Sequence, residues 1–232
     1  MAKQKTPEER LNGFFLSQMV DLAGEPWPQG LFHYTTSAGM RAIISSGVLR
    51  AHNVEQMNDF TEGRYAASVM RAFIDRQYAI ESNADATKLF EAMREQLSTV
   101  DLTDVFALSF TTDGDELGMW RLYADRGRGF SFSVSIRKAL NWAGQMHQGA
   151  IMRCCYNAER LERFCCQALS KIRSIYLEDL AEGVALAPAG YSALFFELAV
   201  WCAPLFKSSA WRDEKEWRFV FMRPNAPLIG IT

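Results

Sequence analysis

The stretch Trp211-Arg212-Asp213-Glu214-Lys215-Glu216-Trp217-Arg218-Phe219-Val220-Phe221 constrains the fold more than any other part of the chain. Read as a β-strand, it sorts its side chains by parity. Trp217, Phe219 and Phe221 share one face. Glu214, Glu216 and Arg218 share the other, with Val220 beyond them. The aromatic face requires a core. The opposite face sets two carboxylates and a guanidinium on a segment apolar enough to lie inside a sheet. Charges removed from water are costly unless paired or put to use. Two readings follow: an edge strand whose charged face is wet, and an internal strand that carries a site.

With 232 residues the chain holds one large domain, or a domain with appendages. A hydrophobic fraction of 49%, with 6 Trp and 16 Phe, suits a packed globular core. The net charge of -2 provides no global basic field to attract nucleic acid, which leaves a local basic patch open. No apolar run approaches bilayer-spanning length, and the opening residues are too charged for a signal peptide. The expected compartment is the cytoplasm, with no membrane partner. The 5 cysteines are Cys154, Cys155, Cys165, Cys166 and Cys202. An odd count in adjacent pairs argues against a disulfide framework and matches no zinc spacing. Buried reduced thiols are expected.

Thr6 to Leu22 reads as an amphipathic helix, with a Thr6–Glu9 capping box and Pro7 at its first position. Residues 24–30 break the chain, so residues 1–29 read as an N-terminal helix and linker and 30–232 as one domain. Leu31 to Thr35 is a short strand. Ser37 caps a helix running to Ser46, closed by Gly47. Val48 to Ala51 looks extended, and His52 to Thr61 is a polar loop containing Met57-Asn58-Asp59. Thr61 caps a long helix from about Glu62 to Ile80, and a second runs from about Ala84 to Leu97. These two resemble an insertion on a strand-rich scaffold. Strands are expected at Asp104–Thr111, Phe130–Ile136 and Ala150–Tyr156. Helical segments are expected at Leu117–Tyr123, Arg137–Met146, Ala158–Glu182 and Gly190–Cys202. The whole reads as an α+β domain with a central mixed or antiparallel sheet and helical insertions.

Several residues are candidates for chemistry. The His33 imidazole suits ribose hydroxyls, or a backbone carbonyl inside a core. Ser109 is a hydroxyl, or merely a small residue, in a strand. Trp120 and Tyr123 lie three apart, so on a helical turn they share a face and either stack on a flat ring or fill the core. Arg121 and Arg126 to Arg128 are phosphate partners or solvated turn charge. No phosphate-binding loop, G-x-G-x-x-G, H-E-x-x-H or G-x-S-x-G element is present, and the three histidines have no ligand spacing. No metal is expected.

Taken together, the segments resemble a large bacterial family known as a domain of unknown function. Its marks are an L-x-H-Y-T strand, an M-N-D-x-x-E-G loop, a strand ending in S-F-T, W-R-x-Y, a glycine-flanked turn and K-x-x-x-W-x-x-E-x-E-W-R. Here these are Leu31 to Thr35, Met57 to Gly63, Ser109 to Thr111, Trp120 to Tyr123, Gly127 to Gly129, and Lys207 to Arg218. The order is also similar to that of the ADP-ribosyltransferase superfamily. That resemblance implies His33 on the NAD ribose, Ser109 or Tyr123 bracing the nicotinamide pocket, and Glu216 on the nicotinamide ribose, with Glu214 as the first acid of E-x-E. Tyr34 or Trp120 would cover a flat ring, Thr35 of the first-strand motif would join them in binding NAD, and Arg121 or Arg218 would keep Glu216 ionised. The implied activity uses NAD as substrate and passes ADP-ribose to a protein, a nucleic acid or water, in bacterial defence or toxicity. Two alternatives stand beside it: a nucleotide- or partner-binding module without turnover, and a metal-independent nucleic-acid-processing domain.

Overall fold

The computed structural model describes residues 5–23, 27–57, 62–99, 102–145, 149–222 and 229–230. In chain order its elements are α1 (Pro7–Ala23), β1 (Gly30–Thr35), α2 (Ser37–Ser46), β2 (Val48–Leu49), β3 (His52–Asn53), α3 (Glu62–Ile80), α4 (Ala84–Ser98), β4 (Val105–Thr111), α5 (Leu117–Tyr123), β5 (Phe130–Ser135), α6 (Ile136–Gln145), β6 (Gly149–Arg153), α7 (Ala158–Ala181), α8 (Pro188–Cys202), β7 (Glu216–Met222) and β8 (Ile229–Gly230). They divide into two units: a helical one from residues 1–24, 61–101 and 157–206, and a sheet unit from residues 25–60, 102–156 and 207–232.

The helical unit starts with the expected capping box. The Thr6 N–H donates to Glu9 Oε2 at 2.9 Å, and the Glu9 N–H donates to Thr6 Oγ1 at 3.3 Å. Arg10 then ties α1 to α7 through Glu178 and Asp179. Asp179 is buried and also accepts the Tyr191 hydroxyl at 2.6 Å. Burial, reinforced by that bond, pushes the Tyr191 phenol up to about 12. Asn83 and Asn157 cap α4 and α7, each accepting two backbone N–H groups. The α8 sequence is apolar almost all round rather than on one stripe, and it buries Tyr191, Leu194, Phe195, Leu198 and Cys202 among others. The helices expected as an insertion, α3 and α4, thus share a core with α7 and α8. The five cysteines lie outside any disulfide and four are buried; Cys166, on α7, is exposed, contrary to expectation.

The sheet unit is antiparallel throughout, with strand order β5-β1-β4-β7-β6 and β3 paired with β4. β2 and β8 form a separate two-stranded ribbon. The organising strand β7 lies between β4 and β6, so it is internal and its charged face is not a wet edge. Glu216 through Phe221 are all buried. One sheet face packs Leu31, Leu108, Phe110, Val134, Ile151, Trp217, Phe219 and Phe221 into the core. Each such side chain contributes about 1.5–3 kcal/mol on burial.

Three local expectations are corrected. The stretch from Trp211 is not all strand: Ser209–Glu214 forms a 3-10 helix, Lys215 takes φ 47, and the strand begins at Glu216. Thr36, not Ser37, caps α2, accepting the Gly39 N–H at 3.1 Å, while the Ser37 hydroxyl donates to the Arg128 carbonyl at 2.8 Å. His52 and Asn53 pair with β4 rather than lying in a loop. Asn58, Asp59 and the expected Thr61 cap lie outside the described residues.

The glycine-flanked turn has a physical cause at each glycine. Gly127 takes φ 86, following Asp125 and Arg126 at φ 46 and 56. At Gly129 an added Cβ would sit 2.2 Å from the Thr35 carbonyl oxygen and 2.9 Å from Ala124 Cα, both backbone atoms. We expect Gly129→Ala to cost about 1–3 kcal/mol, the usual range for overpacking. Urea unfolding measures it, and an unchanged midpoint would show that the turn does not approach β1 this closely.

Candidate functional site

The polar face of β7 is built by register. Glu216 pairs with Thr111 and Arg218 with Ser109 of β4, so these four side chains lie on one side of the sheet. Arg218 grips Glu216 bidentately, with Nε on Oε1 at 2.7 Å and Nη2 on Oε2 at 3.0 Å. Lys207 Nζ donates to Glu216 Oε2 at 2.7 Å and to Glu214 Oε2 at 2.6 Å. The Tyr123 hydroxyl donates to Glu214 Oε1 at 2.7 Å. The side chains of Lys207, Glu214, Glu216 and Arg218 are exposed by only 2%, 8%, 5% and 1%. Among the described residues, two carboxylates and two cations make one buried cluster. Burial pushes the Glu216 carboxyl up, but Arg218 and then Lys207 outweigh it and hold it at about 2. Glu216 therefore stays ionised. Burial, then the charge of Glu214, raises the Tyr123 phenol, which remains a donor.

An aromatic wall stands beside this cluster. Tyr34 packs with Met119 and Ala124, against Phe32, Trp120 and Tyr123. The Tyr34 and Trp120 rings meet edge to face, with centroids 5.1 Å apart. Tyr34 is fixed at its tip, its hydroxyl donating to the Asp113 carbonyl and accepting the Glu116 N–H, each at 3.0 Å. Trp120 Nε1 donates to Asp115 at 2.8 Å. Trp120 and Tyr123 do share one side of a helical turn, and that side covers the Glu216 face of the sheet. The Ser109 Oγ is buried on the same face without a hydrogen-bond partner.

His33 is elsewhere. It pairs with Phe132, and its ring lies 5.5 Å from the Phe132 ring and 5.8 Å from that of Phe110. Phe110 pairs with Trp217, so His33 occupies the aromatic face, opposite Glu216. His33 and Glu216, which the resemblance set on the riboses of one NAD, thus lie on opposite faces of the sheet. Burial lowers the His33 pKa, and its Nδ1 meets the Ser109 carbonyl at 2.9 Å. A neutral ring donating to that carbonyl is the core histidine that stood as the other reading. Thr35, two residues on, has the parity of His33, while Tyr34 faces the glutamates. Arg121 is exposed on α5, and the cations on Glu216 are Arg218 and Lys207 instead. Arg126 and Arg128 are exposed as well, Arg128 pairing with Asp125.

Residues 119–219 match the family described as Protein of unknown function (DUF2971). The DUF2971 match takes in Trp120, Tyr123, Lys207, Glu214, Glu216 and Arg218, so the buried cluster lies wholly inside it. No curated protein and no solved structure matches the chain.

Two members of the site were not singled out from sequence. Lys207 bridges both glutamates, although it stood in view as the first residue of K-x-x-x-W-x-x-E-x-E-W-R. The Tyr156 hydroxyl accepts the Glu216 backbone N–H at 2.9 Å and has no motif to announce it. Chemically, the face offers a carboxylate held ionised, a second carboxylate joined to it through one ammonium, a phenol donor and an aromatic wall. Among the described residues, no group of three or more His, Cys, Asp and Glu side chains is placed to hold a metal ion.

Proposed function

We propose that the protein is an NAD-dependent enzyme of the ADP-ribosyltransferase type, working on the Glu216 face of its sheet. The observation that carries this reading is the buried, ionised Glu216 on β7, joined through Lys207 to Glu214. Two further features support it. The strands that carry Tyr34, Ser109 and Glu216, β1, β4 and β7, are successive neighbours in the sheet. Tyr34 and Trp120 provide a flat wall on the same face as the acids.

In this reading the bond between ribose and nicotinamide breaks, and nicotinamide leaves with the bonding pair. Positive charge develops on the ribose, and Glu216 stabilises it where it forms. A carboxylate has about four acceptor positions. Lys207 and Arg218 fill those on Oε2, and Arg218 takes one on Oε1, which leaves Oε1 an acceptor position for a sugar hydroxyl. Glu214 takes the proton of the attacking acceptor hydroxyl or water. His33 has no part in this site; it fixes β1 to β4.

A second reading, a nucleotide-binding module without turnover, is favoured by one observation. Both acids are already neutralised by buried cations, so little field remains to stabilise a developing positive charge. Nicotinamide release and thermal shift, measured together on the wild-type chain, separate the two. The enzyme reading expects NAD to raise the melting temperature and to yield free nicotinamide. A shift without release supports the binding module. Degradation of RNA or DNA without NAD, and no shift with it, would replace both with nucleic-acid processing.

A further inference from the structure

Among the described residues β5 is an edge strand of the sheet. Among the described residues no strand pairs with its outer side, since it ends the order β5-β1-β4-β7-β6. In an antiparallel pair, alternate residues turn their N–H and C=O away from the partner, so β5 presents a row of open donors and acceptors. Edge strands are commonly blunted by charges, proline or a bulge. The β5 sequence, Phe-Ser-Phe-Ser-Val-Ser, has neither charge nor proline, and its register against β1 runs unbroken from Thr35↔Phe130 to Gly30↔Ser135. Phe130 is 45% exposed at one end, on the face that also carries Phe132.

The charges stand at the two ends instead. Arg126 and Arg128 precede the strand, and Arg137 and Lys138 follow it, all four exposed. Arg128 pairs with Asp125, whereas Arg126, Arg137 and Lys138 form no ion pair among the described residues. We propose that the outer edge of β5 is a docking site for an extended acidic peptide, which adds as a further strand. The open ladder groups hold its backbone. Apolar side chains at alternate positions rest on Phe130 and Phe132, and carboxylates at its ends meet the four cations.

The test uses the full chain and a fluorescent peptide of alternating valine and threonine, with two glutamates at each end. We expect saturable binding that weakens as salt rises, and about tenfold or more loss when the glutamates are replaced by lysines. Methylating alternate backbone nitrogens of the peptide should abolish binding, because it removes the ladder donors. Hydrogen exchange of Phe130–Ser135 should slow on binding. Arg137→Glu with Lys138→Glu should weaken the acidic peptide and leave the melting temperature within about 1 °C, as expected of exposed residues. Equal affinity for acidic and basic peptides, no binding at all, or a dimer in which β5 is protected without peptide would each overturn the proposal.

Discussion

Glu216→Gln lowers the stability of the chain by about 3–5 kcal/mol, the usual cost of breaking a buried ion pair from one side. The reason is electrostatic. Glu216 is bonded to the guanidinium of Arg218 and the ammonium of Lys207, all three buried, so the substitution takes a carboxylate away from two buried cations. The glutamine keeps the shape but accepts poorly from two cations. Lys207→Met added to Glu216→Gln removes one of the two cations together with the carboxylate that it met. We therefore expect the double variant to be more stable than Glu216→Gln alone, with a coupling of about 1–3 kcal/mol. Urea unfolding of the wild type, both single variants and the double closes the cycle. Strict additivity would mean that the cluster is not one electrostatic unit.

The second large effect is on acid stability. The Glu216 carboxyl is depressed in the folded chain from 4.5 to about 2, since Arg218 and Lys207 outweigh the burial that would raise it. A depressed acid contributes stability that is complete above its unfolded pKa and is lost as pH falls through its folded pKa. The window is therefore about pH 4.5 down to about 2. At 1.36 kcal/mol per unit, the contribution is about 3 kcal/mol. Unfolding free energy should fall steeply across that window in the wild type. It should fall less steeply in the double variant, which has no Glu216 to titrate. Parallel acid limbs would mean that Glu216 is not held by its two cations.

How much of this was legible in the sequence follows from which forces are local. The capping box at Thr6 and Glu9 and the strands around Phe110 and Phe132 follow from side-chain pattern within a few residues, while the pattern of β7 suited an edge and an internal strand alike until its pairing with β4 and β6 decided. The partnership of Glu214 with Glu216 was also legible, but for an incomplete reason. They do not share a strand; a 3-10 helix and a left-handed Lys215 return Glu214 to the same ammonium. The side of the sheet taken by His33 was not legible. Alternation separates His33 from Tyr34, but only the pairing of Phe32 with Thr111 and of Thr111 with Glu216 decides which one faces the acids. A slip of one residue would have exchanged them. Lys207 was hidden for a similar reason, because its partners lie seven and nine residues on, across a helical turn that no periodicity marks. The helical unit shows the same limit: the pattern identified its helices, while their assembly from three chain segments depends on contacts distant in sequence.

The central claim is that Glu216 acts on NAD. It is tested most directly by nicotinamide release from NAD by the wild type and by the Glu216→Gln, Lys207→Met double variant, both shown folded by their melting transitions. The account predicts release by the wild type and none by the double variant. Release at the same rate by both, or none by the wild type, would contradict it.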